Sequence, residues 1–110
     1  MNDLRFKRKY FAMITSGKKN LECRLDYPFI KKMKVGEVVR FFWEDEKYDV
    51  KIIAIRRYKS FTEMLQKEDV VKLVPGMSKE EALLEYQAIY PDWKVKKTGG
   101  VVILEFIPVK

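Results

Sequence analysis

Apolar and polar residues alternate strictly over positions 20–26. Leu21, Cys23 and Leu25 are apolar, whereas Asn20, Glu22, Arg24 and Asp26 are polar. Successive side chains of a strand point to opposite faces, so this stretch predicts a half-buried β-strand. One face enters the core. The other is expected to present an amide, a guanidinium and two carboxylates outward. Residues 38–43 are β-branched and aromatic and predict a second strand. Residues 48–55 predict a third, with Val50, Ile52 and Ala54 on one face and Lys51, Ile53 and Ile55 on the other. Residues 101–109, after the Gly99-Gly100 turn, predict a final buried strand.

Helical spacing appears in three places. Phe6, Tyr10, Met13 and Ile14 predict a helix over 7–16, and Gly17 suits the left-handed position past its end. Ser60-Phe61-Thr62-Glu63 and Ser78-Lys79-Glu80-Glu81 are capping boxes, which open helices near 60–66 and 78–90. Pro91 stops the last of these. Tyr27-Pro28 ends the first strand, and residues 29–33 read as a turn-like connector. Strands outnumber helices and surround them irregularly. The expected class is α+β, a small mixed barrel with three helices around it.

Composition narrows the chemistry. A chain of 110 residues, 47% hydrophobic, forms one domain with a real core. No apolar run approaches the roughly 18 residues of a membrane span, and residues 1–5 read as lacking a signal peptide's apolar segment. The single cysteine suits a reducing compartment, so a cytoplasmic location is expected. There is no histidine. A His/Cys zinc site and a His-activated nucleophile are therefore excluded, and neither metal nor cofactor is expected. The formal charge of +7 favours a polyanionic partner through phosphate contacts. Basic clusters at 5–9, 18–19, 31–34, 56–59 and 94–97 lie near aromatics, among them Tyr27, Tyr58 and Trp93. Aromatic platforms beside cations are how single-stranded nucleic acid is held. Set against this, Phe6, Tyr10 and Phe29 read first as core residues.

The chemistry-bearing segment is Gly17-Lys18-Lys19-Asn20-Leu21-Glu22-Cys23-Arg24. An arginine fork binds phosphate bidentately. A glutamate accepts from an exocyclic amine or a ribose hydroxyl. A lysine near a helix end meets a phosphate or serves as an acid or base. The plainer reading is a solvated strand face with an ion pair worth under about 1 kcal/mol.

Gly17, Lys19, Glu22 and Arg24 match G-x-K-x-x-E-x-R, the signature of the ASCH domain, a PUA-like β-barrel family, and the chain resembles its small archaeal and bacterial members. The segments 35–39, 58–65, 88–91 and 100–103 resemble their second barrel strand, second helix entrance, closing helix and closing strand. The resemblance implies a single domain over residues 1–110, with a PUA-like barrel of about five or six strands. It implies a monomeric RNA-binding module whose basic cleft lies beside the motif. Gly17, Lys18, Lys19, Glu22 and Arg24 would contact RNA, and Tyr58 and Trp93 would stack on bases. The alternative is a small hydrolase of RNA or of acetylated cytidine, with Lys19 and Glu22 catalytic. The amidohydrolase members resemble this chain at Gly17, Lys19 and Arg24 but carry threonine at the position of Glu22. They also use a carboxylate ahead of the closing helix, where this chain reads Leu73-Val74-Pro75-Gly76-Met77.

Overall fold

The computed structural model describes residues 1–109. In chain order its elements are β1 (Asn2–Arg5), α1 (Arg8–Thr15), β2 (Leu21–Leu25), α2 (Pro28–Lys31), β3 (Val38–Trp43), β4 (Glu46–Tyr58), α3 (Phe61–Lys67), α4 (Val70–Leu73), α5 (Lys79–Ile89), α6 (Asp92–Thr98) and β5 (Val101–Pro108). The five strands form one curled sheet in the order β1-β3-β4-β5-β2. Only β1 and β3 pair in parallel; the other three ladders are antiparallel. The result is a half-barrel with β1 and β2 as its two free edges.

The sheet separates two cores. On its inner face Leu4, Phe6, Val39, Phe41, Val50, Ile52, Val102, Leu104 and Phe106 pack with Phe11 and Ile14 of α1, which plugs the half-barrel. On its outer face Leu21, Cys23, Leu25, Val101 and Ile103 pack beneath Phe61, Met64, Leu73, Ala82, Tyr86 and Val95 from the remaining helices. Alternate residues of β5 thus enter different cores. That is why residues 101–104 read as an unbroken apolar run.

Six helices surround the sheet among the described residues, rather than three. The additional ones, α2, α4 and α6, span four to seven residues, too short for a 3.6-residue period to show. Both predicted caps form, but only Ser78 and Glu81 make the reciprocal box; at the other site Ser60 accepts from the Glu63 N–H alone. In β4 the expected alternation fails at Ile53. A bulge between Ile52 and Ala54 reverses the faces, so Ile55, not Ala54, continues the inner core.

The largest departure concerns β2. Its polar face is not solvated: Glu22 is 8% exposed and Asp26 6%. Asp26 pairs with Arg57 at 3.2 Å and Lys31 at 3.6 Å. Strand β2 is an edge in hydrogen bonding only. Its outer face packs in the second core, and its inner face is bridged by Arg24 to β1.

Candidate functional site

Glu22 and Arg24 pair with Leu104 and Val102 on the inner face of the sheet, where Arg24 meets the opposite edge. Its Nη2 donates to the Arg5 carbonyl of β1 at 2.8 Å, and its Nε donates to Glu22 Oε2 at 2.7 Å. The guanidinium also lies over the Phe6 ring, 4.8 Å from the centroid. One side chain therefore spans the gap that backbone pairing leaves open between β2 and β1. Among the described residues Nη1 has no protein acceptor, so its N–H groups remain available.

Lys19 enters from the turn after α1 and is 2% exposed. Its ammonium donates to Leu21 O at 2.5 Å and Leu73 O at 2.6 Å, and pairs with Glu22 Oε1 at 3.0 Å. An ammonium has three N–H groups, and all three are engaged. Lys19 lines the cleft from below and ties β2 to α4. Burial disfavours the Glu22 carboxylate, but Lys19 and Arg24 outweigh that cost and hold its pKa below the ordinary glutamate value.

These three residues line a cleft of about 200 Å³ whose walls come from Arg5, Lys7 and Tyr10 on one side and Val74, Glu85, Tyr86, Ile89 and Tyr90 on the other. Burial, the first cause in each case, raises the phenol pKa values of Tyr10, Tyr86 and Tyr90, so all three are hydrogen-bond donors at neutral pH. None of their hydroxyls has a protein partner among the described residues. Four cations face two carboxylates, Glu22 and Glu85, around this opening. The first turn of α1, which borders it, contains no acidic residue.

The other residues singled out in the sequence lie elsewhere. Gly17 takes the left-handed conformation, with φ 82°, at the end of α1. The N–H groups of Gly17, Lys18 and Lys19 bond back to Ile14 O and Met13 O, closing the helix rather than facing the cleft. Lys18 is exposed and outside the lining. Tyr58 belongs to the outer face, where its hydroxyl donates to Glu68 Oε2. Glu68 in turn takes a bidentate pair from Arg56, at 2.7 and 2.8 Å. Trp93 on α6 is 63% exposed and away from the cleft. Sequence reasoning missed Glu85 and Tyr86 and treated Tyr10 as core. A usable signal was the Tyr86/Tyr90 pair at i, i+4, which puts two polar tips on one side of an otherwise apolar stripe.

The ASCH domain pattern matches residues 4–110, nearly the whole chain. The protein belongs to the ASCH domain family. This PUA-like family is generally linked to RNA binding. Two solved structures extend the likeness to the backbone. The crystal structure of the hypothetical protein PH0355 is 34% identical, with a TM-score of 0.87 and 97% of each chain covered. The solution structure of protein PF0455 from Pyrococcus furiosus is also 34% identical, with a TM-score of 0.78 and coverage of 99% of this chain and 97% of that one. No curated protein matches the sequence. No helix among the described residues is long and apolar enough to cross a membrane.

Proposed function

We propose that this ASCH protein is an RNA-binding module that takes an RNA base and its phosphate into the cleft between β2 and α1. The observation that carries this reading is Arg24. It is fixed by Glu22 and Arg5 O, backed by the Phe6 ring, and still has Nη1 donors to offer. A preorganised fork of this kind loses little entropy when it engages a phosphate or a base edge. The free phenol donors of Tyr10, Tyr86 and Tyr90 add polar contacts to an otherwise apolar wall, the usual make-up of a small-ligand pocket. Glu22 acts through Arg24, setting its direction, and Lys19 supplies counter-charge from below.

The hydrolase reading has less support. Lys19 spends its three N–H groups on protein acceptors, and two cations hold Glu22 ionised. The stretch Leu73-Val74-Pro75-Gly76-Met77 ahead of the closing helix, whose Val74 lines the cleft, contains no acid of the kind the amidohydrolase members carry there.

Fluorescence anisotropy with a labelled single-stranded RNA tests the proposal. Arg24→Lys keeps the charge but loses the fork, and it should weaken binding about 5- to 100-fold. Equal affinity of Arg24→Lys and the parent protein would remove Arg24, and with it this cleft, from the binding site.

A further inference from the structure

Beside the cleft, the surface continues as a trough. The cleft and the next concavity share Arg5, Phe6 and Lys7. That concavity and the one beyond it share Arg8 and Trp43. Trp43 closes β3 on the same inner face as Val39 and Phe41, half-buried against the core, with the Arg8 guanidinium over its ring at 5.6 Å from the centroid. Its placement relative to the cleft is rigid. Arg5 pairs with Phe42, and the Phe6 N–H bonds to Phe42 O at 2.9 Å. Trp43 therefore sits one strand over, about 4.8 Å, and one residue further, about 3.3 Å, from the β1 end that Arg24 grips.

We propose that Trp43 and Arg8 form a second subsite that stacks an unpaired base, so that the protein holds a single-stranded stretch of RNA rather than a free nucleotide. This rests on the cleft reading above. The Arg8 guanidinium caps the indole, so a base extends this stack over the guanidinium plane or enters it by displacing Arg8, and Arg5, Lys7 and Arg8 give the intervening backbone its counter-charge. Base faces in a duplex are covered by their neighbours, so only an unpaired strand can use such a platform. The trough also has an end. Glu46 lines its far side beside Lys47, and Glu44 and Asp45 follow Trp43 in the hairpin, so acids outnumber the one lysine there and disfavour a polyanion. The basic track between Arg24 and Trp43 fits a few nucleotides at most.

The test uses the chain with Trp93→Phe. The sequence has two tryptophans, so Trp43 becomes the sole indole reporter. Titrations with uridine monophosphate, with oligouridylates of two to six nucleotides and with an A·U duplex are followed by indole fluorescence and by affinity. The single strands should quench Trp43 and bind tighter than the mononucleotide, which should bind without quenching. Trp43→Leu, which keeps an apolar plug, should lose about tenfold or more in oligouridylate affinity and nothing in mononucleotide affinity. If that variant does not fold, quenching in the Trp93→Phe protein decides alone. Saturating oligouridylate without quenching, or equal quenching by the duplex, overturns the subsite. An oligouridylate affinity lowered by Arg24→Lys but not by Trp43→Leu overturns it while keeping the cleft. If neither change matters, both readings fall.

Discussion

Lys19 is an ammonium placed where water scarcely reaches, and its surroundings are arranged to match. Two backbone carbonyls and one carboxylate oxygen accept its three N–H groups. Removing one member of such a buried set leaves the others uncompensated, which typically costs about 3–5 kcal/mol. Lys19→Ala should therefore lower the urea midpoint by several kcal/mol's worth of stability. A midpoint within about 0.5 kcal/mol of the parent would mean that Lys19 is an ordinary surface lysine. Glu22 makes the same cluster sensitive to acid. Its folded pKa lies below the ordinary value near 4.5, because Lys19 and Arg24 overcome the cost of burial. The unfolded chain then binds the proton more readily. The Glu22 contribution is complete above about pH 4.5 and is lost as pH falls through the lower folded value. Denaturant melts of Glu22→Gln should be less stable than the parent at pH 7, with the difference narrowing towards pH 3. A constant difference across that range would contradict the ion-pair account.

At the level of elements, the join between α6 and β5 holds the glycine with the least room for a side chain. Gly100 has φ 125°, and a Cβ there would collide with the Tyr58 carbonyl of β4. Gly17 also has positive φ, at 82°, but opens onto empty space. Gly17→Ala should cost about 1–2 kcal/mol from backbone conformation alone, and Gly100→Ala distinctly more. Thermal melts giving the two variants equal stability would show that the β4–β5 approach yields easily. The two glycines also show what a sequence discloses. The strand 20–26, both serine caps and the β3 strand are legible because each carries a local signal: alternation, a hydroxyl three residues before an acid, a β-branched run. Strand β1 is not, since Asn2–Arg5 has one apolar residue and owes its conformation to β3. The bulge at Ile53 leaves no local mark and is set by pairing with β5. The site follows the same division. Glu22 and Arg24 are found by their shared strand face. Their burial, and the wall of Tyr10, Glu85 and Tyr86, come from α1 on that face and α5 from the other core meeting around β2, which only long-range packing decides.

For the whole molecule, the charge of +7 is spread over several clusters, but the cations of the cleft and trough that keep donors are Arg5, Lys7, Arg8, Arg24 and, at the far end, Lys47. If these contact about three phosphates, log K for single-stranded RNA should fall with log salt at a slope of about 2, from roughly 0.7 per phosphate. A flat dependence would leave the net charge as solvated surface. Lys31 at the end of α2 bonds to Asp26 and to the Thr98 carbonyl of α6, which brings the lysines of 31–34 and 94–97 together as a separate basic region that competes for the same polyanion. The central claim is that RNA enters between β2 and α1 and not there. Amide chemical-shift mapping during titration with a short single-stranded RNA separates the two faces directly. The account predicts that the largest shifts fall on residues 5–10, 22–24 and 85–90, with residues 31–34 and 94–97 near their free positions. Shifts concentrated on 31–34 and 94–97, with the β2 cleft unmoved, would contradict it.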